Sequence, residues 1–100
     1  MSEHRVILAV IKGRVQGVGF RAWAQHQAKL HGLQGWVRNR RDGSVEAVFA
    51  GPLEAIEAML KVCYQGPPGS HVESLDARDV SEVVLAERRS GSGFAIVATV

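Results

Sequence analysis

Val6-Ile7-Leu8-Ala9-Val10-Ile11-Lys12-Gly13-Arg14-Val15-Gln16-Gly17-Val18-Gly19-Phe20 runs from an unbroken apolar stretch, through three glycines, to an aromatic residue. The apolar stretch is short, rich in β-branched residues and stopped by Lys12-Gly13, so it predicts a strand buried on both faces and central in a sheet. The glycine-punctuated segment predicts a loop. After it, Phe20, Trp23, Ala24 and Ala28 fall at i, i+3, i+4 and i+8, which is one face of a helix over residues 20–31. Gly32 is suited to stop that helix, because glycine enters the left-handed region without a Cβ clash.

Working outward, residues 33–40 and 44–49 form a hairpin about the tight-turn pair Asp42-Gly43. Val37 and Asn39 share one parity, and Trp36, Arg38 and Arg40 share the other; Val45, Ala47 and Phe49 alternate with Glu46 and Val48. Gly51-Pro52 opens a second helix with an apolar stripe of Leu53, Ile56, Leu60, Cys63 and Tyr64, and Gly66-Pro67-Pro68-Gly69 stops it. Residues 72–80 suit a strand. Residues 81–89 are open to a strand extension or a short helical turn, 90–93 to a loop, and 94–100 to a final strand. The order β-α-β-β-α-β predicts an α+β, ferredoxin-like sandwich: a four-stranded antiparallel sheet with both helices on one face, and room for an extra short strand near the C-terminus.

The 100 residues suit one domain spanning 1–100. With 46% hydrophobic and 22% charged residues, the composition excludes a disordered tail or a fibrous rod. No apolar run nears the roughly 20 residues of a membrane span, and the N-terminus lacks a secretory pattern. The lone Cys63 offers no internal disulfide, so a reducing cytoplasmic setting is expected. A net charge of +2, with basic residues gathered at 14–21 and 38–41, suits a small anionic ligand.

Two roles are open to residues 13–19. The segment is either a flexible strand-to-helix connection or an anion cradle, built from glycine-enabled backbone N–H groups, the free N–H groups of the first helical turn and the positive end of its dipole. It is neither a Walker A loop nor a dinucleotide fingerprint. Arg21 faces the positive dipole end. It is either a solvated surface residue or a planar fork for two phosphate oxygens, whose arrival removes the charge conflict. Arg14 could add to the same field from the loop or point to water. Asn39, near a strand end, either bonds the turn backbone or uses its amide to hold water and substrate. The four histidines show no metal spacing. Cys63, on an apolar stripe, suits a buried inert thiol.

Taken together, residues 13–21 with Trp23-Ala24, and Gly35-Trp36-Val37-Arg38-Asn39 with residues 42–47, resemble the two signatures of the acylphosphatase family, over about residues 5–72. The resemblance implies the same ferredoxin-like fold and metal-independent hydrolysis of acyl phosphates to a carboxylate and inorganic phosphate. It implies that Arg21 binds the phosphate, that the backbone of Val15, Gln16, Gly17, Val18, Gly19 and Phe20 cradles it, and that Asn39 orients the attacking water. A small-molecule acyl phosphate is the expected partner of a monomer, with no cofactor, metal, nucleic acid or membrane. The alternative is a related domain that binds an anion or partner without turnover. RNA binding is disfavoured, because residues 44–49 lack the aromatic-glycine pattern of sheet-face RNA modules. Residues 72–94 run longer than is usual for that family, and the terminal Gly93-Phe94-Ala95-Ile96 lacks the basic residue expected next.

Overall fold

In the computed structural model, which describes residues 3–88 and 93–100, the apolar run at 6–11 lies inside β1 (His4–Arg14). The elements that follow are α1 (Phe20–Leu30), β2 (Gln34–Asn39), β3 (Val45–Pro52), α2 (Leu53–Gln65), β4 (His71–Asp79) and β5 (Phe94–Ile96). A 3-10 helix, Glu82–Glu87, joins β4 towards β5 and resolves the segment that sequence left open. The loop expected at 90–93 lies outside the described residues except for Gly93.

The sheet has five strands in the order β4-β1-β3-β2-β5. The first four are antiparallel, as expected for this fold, and β1 is central between β3 and β4. The extra short strand for which the sequence left room is β5, which makes the sheet five-stranded by adding to the free edge of β2 and running parallel to it. Two interactions account for that placement. Phe94 is buried and stacks on Phe49 with ring centroids 5.6 Å apart, a contact worth about 0.5–1.5 kcal/mol beyond area burial. Gly35 sits opposite Phe94 with φ 139°, and a Cβ there would lie 1.8 Å from the Val48 carbonyl oxygen. Only glycine lets β2 lie this close to β3 and leaves room for the Phe94 ring of β5, whose Cε2 a Cβ would approach to 3.3 Å. The regular part of the last strand is shorter than residues 94–100, although the Val97 and Val100 N–H groups still bond the Val37 and Asn39 carbonyls.

Strand parity divides the sheet into two faces. Ile7, Ala9, Ile11, Val37, Val45, Ala47 and Phe49 face the helices and form the main core with Phe20, Ala24, Ala28, Ile56, Met59 and Cys63. The α2 stripe therefore runs through Met59, which the sequence pattern passed over, whereas Tyr64 is 56% exposed. The other face holds a smaller cluster of Val6, Trp36, Val48 and Ala50, covered by Val84 and Leu85 of the 3-10 helix. Among the described residues, no helix is long and apolar enough to cross a membrane.

Candidate active site

α1 starts without a side-chain cap. Its N-cap, Gly19, has φ 77°, and no acidic residue occupies the first turn. Gly17 is also left-handed, at φ 74°. A Cβ at either glycine would meet nothing within 4 Å, so conformation rather than crowding selects glycine here. The loop therefore turns with open space in front of it. The Trp23 N–H donates to the Gly19 carbonyl, but the N–H groups from Gln16 to Ala22 have no acceptor among the described residues. Unpaired donors at the positive end of a helix dipole form an anion cradle.

Phe20 anchors this end. It is buried and packs edge-on against Trp23, with centroids 5.3 Å apart. With Phe20, Ala24 and Ala28 turned into the core, Arg21 falls on the flank of α1 together with Gln25 one turn on. Gln25 Nε2 donates to the Phe94 carbonyl at 3.0 Å, which ties that flank to β5. Arg21 is half-buried and has no ion-pair or hydrogen-bond partner among the described residues. Asn39 reaches the same place from the sheet. It lies in register with Val45, shares parity with Val37 and so stands on the helix face at the end of β2. Its backbone carbonyl accepts from Val100 N–H, while its side-chain amide has no partner among the described residues.

A single cleft of about 290 Å³ is lined by Val15, Gln16, Gly17, Gly19, Phe20, Arg21, Ala22, Asn39 and Ile96. The expected residues thus come together, except that Val18 turns its side chain onto the core and lines none of the cleft. Sequence reasoning missed two residues. Ala22 carries a faint signal, as a small side chain beside Arg21 in the first helical turn. Ile96 carries none, since its presence depends on β5 crossing to the β2 edge. Arg40 belongs elsewhere: it lines a separate hollow with Leu8, Val10, Glu46 and Asp76. Arg14 is exposed and lines neither.

The hairpin beside the cleft is held by its own polar groups. The Asp42 carboxylate accepts from Ser44 N–H at 2.9 Å and from Ser44 Oγ–H at 2.6 Å, and these bonds hold its pKa below the usual carboxylate value. Cys63 lies away from the cleft in the core, where burial pushes its thiol up to about 12. It is not a nucleophile at neutral pH. No group of three or more metal-binding side chains occurs among the described residues.

An open cleft that gathers donors, a guanidinium and an amide without partners among the described residues, on an α+β sandwich, is the arrangement of a domain suited to an anion. The acylphosphatase family model matches residues 7–96, and the chain belongs to the acylphosphatase family. An acylphosphatase of Bradyrhizobium diazoefficiens is 52% identical over 97 residues, covering 96% of this chain and 98% of that protein. The crystal structure of acylphosphatase from Bacillus subtilis superposes with a TM-score of 0.82 at 33% identity, covering 95% of this chain and 99% of that one. Full-length HypF, crystallised in a phosphate- and nucleotide-bound form, gives a TM-score of 0.82 at 26% identity, over 99% of this chain and 12% of that one. The expected enzyme class, an acyl phosphate hydrolase, is borne out by these relatives.

Proposed function

We propose that the 290 Å³ cleft is where this chain hydrolyses acyl phosphates, with Arg21 and the backbone of residues 15–20 holding the phosphate and Asn39 holding the attacking water. One observation carries this. Among the described residues, the groups left without partners, namely the Arg21 guanidinium, the Asn39 amide and N–H groups of the loop and first turn, gather at one opening that Val18 does not line. Polar groups are normally paired in a folded protein, so such a gathering marks a place made for a ligand.

The chemistry needs little more. The cradle and the planar Arg21 fork neutralise the phosphate oxygens and restrain the phosphoryl group. The Asn39 carbonyl oxygen accepts a hydrogen bond from water and aims its oxygen at phosphorus, opposite the acyl oxygen. The new P–O bond forms as the bond to the acyl oxygen breaks, and the leaving carboxylate takes the electron pair. One water proton stays on the attacking oxygen and the other passes to a phosphate oxygen, giving carboxylate and dihydrogen phosphate. A carboxylate has a pKa of about 4, so it leaves without a general acid. The loose transition state of phosphoryl transfer needs water to be placed more than deprotonated, which an amide can do. The chain works in this reading as a single-domain monomer in the cytoplasm, on a small-molecule substrate.

The test is hydrolysis of an aromatic acyl phosphate in the presence of a chelator, by the parent and by Arg21→Ala and Asn39→Ala. Turnover in the parent that both variants lose supports the two roles. A folded parent that binds phosphate without turning over substrate would leave a binding domain instead.

A further inference from the structure

Beyond its backbone place in the cradle, Gln16 bridges the cradle and the hairpin with its side chain. Its Nε2 donates to the Arg40 carbonyl at 2.7 Å and to the Ser44 carbonyl at 2.9 Å, residues 24 and 28 positions away in the chain. Among the described residues, no other hydrogen bond joins the loop at 15–19 to the hairpin at 40–44. The two acceptors stand on opposite arms of the turn. Arg40 N–H donates to the same Ser44 carbonyl at 2.8 Å, so the Gln16 amide sits across the base of the hairpin, one residue beyond Asn39. Asp42 fixes the other side of the turn through Ser44.

We propose that the Gln16 side chain is a positioning residue, setting Asn39 at its working distance from the phosphate cradle; this rests on the water-holding role given to Asn39 above. The chemistry of the amide fits the task. One nitrogen with two N–H donors meets two carbonyls that can only accept. Glutamate would bring acceptors to acceptors, and methionine would bring the same length with neither bond. The cradle and Asn39 come from elements far apart in the chain, α1 with its loop on one side and β2 on the other. Without the bridge, the loop at 15–19 is held to the hairpin at 40–44 by no hydrogen bond among the described residues, and its placement there falls to packing such as that of Val15 and Phe20 in the core. Catalytic positioning is sensitive at that scale, with a displacement of about 1 Å able to cost about 100-fold in rate.

The experiment compares kcat, KM and the inhibition constant of inorganic phosphate in four proteins: the parent, Gln16→Met, Asn39→Ala and the double variant. Gln16→Met is expected to lower kcat about 10- to 100-fold while phosphate inhibition stays as in the parent. In the Asn39→Ala background the same change should cost less than about twofold, because the residue it positions is gone. Equal losses in both backgrounds, a kcat like the parent's, or a loss of phosphate affinity matching the loss of kcat would each overturn the proposal. If Asn39→Ala alone keeps the parent's kcat, what falls is the role of Asn39 itself. If Gln16→Met is too unstable to assay, Gln16→Leu takes its place under the same outcomes, since it too donates to neither carbonyl and adds no charge to the cleft.

Discussion

Arg21 and Arg38 lie on opposite sides of one sheet and differ in every partner they have. Arg38 bonds Glu46 at 2.7 Å, reaches Glu87 at 3.6 Å and lies 4.5 Å over the Trp36 ring. Trp36 in turn donates its indole N–H to the Val84 carbonyl at 2.7 Å. Around Trp36 that face is covered by the 3-10 helix, and no buried side-chain polar atom among the described residues is left without a partner. Arg21 has no such partner among the described residues, and it stands at a helix end whose dipole opposes its charge. One arginine is tied into the fold, whereas the other is left unpaired among the described residues. The contrast teaches where to look for chemistry: not at the best-connected charge, but at the charge the fold leaves unsatisfied.

The contrast is broken most severely at Arg21. Arg21→Ala should lower kcat/KM by about 1,000-fold or more, as losing a charge-stabilising arginine does in phosphoryl transfer. Its stability to urea should hold or rise by a few tenths of a kcal/mol, because a cation leaves the positive helix end. A large loss of stability would show that Arg21 is a structural residue after all. Asn39→Ala should follow, with kcat down about 100-fold and phosphate inhibition unchanged in steady-state assays.

On the other face the effects should appear in stability alone. Arg38→Met leaves Glu46, whose side chain is only 12% exposed, without its cation. A loss of about 2–3 kcal/mol in denaturant unfolding is expected, with turnover retained. Trp36→Phe removes one hydrogen bond and strands the Val84 carbonyl, at a cost of about 1–2 kcal/mol. If either variant lost turnover while staying folded, the two faces would not be independent.

The smallest effect concerns acid. The Ser44 hydrogen bonds hold the Asp42 pKa low, and Arg5 holds Asp79 low through a two-pronged contact at 2.7 and 2.6 Å. A carboxyl depressed on folding contributes stability above its unfolded pKa of about 3.9, and that contribution is lost as pH falls through the lower folded value. Acid titration of unfolding should therefore show stability declining below that range. Asp42→Asn should flatten the decline slightly, and an unchanged acid limb would remove Asp42 from this account.

Much of the site could be read from local signals. The apolar run, the glycines and the i, i+4 spacing of Phe20 and Ala24 fix a strand, a loop and a helix start, and hence the place of Arg21. The shared parity of Val37 and Asn39 puts the asparagine on the core side of its strand. The same parity marks Trp36 and Arg38 as the opposite face, although nothing local says what covers them. The α2 stripe differs from its sequence pattern at Tyr64 and Met59, because several residues on that helix are apolar and only packing against the rest of the core selects among them.

Sequence by itself determined the element order and the two faces of each strand, because each follows from spacing along a few residues; for Arg21 and Asn39 the residues left two roles open, and that both side chains stand without partners among the described residues was decided by the tertiary structure. The tertiary structure alone decided that the last strand crosses to the β2 edge and brings Ile96 to the cleft, that the 3-10 helix closes over Trp36, and that the Gln16 amide meets the hairpin. These depend on contacts between residues tens of positions apart. Such contacts are selected by which surfaces the folded sheet leaves open, and no local pattern encodes that choice.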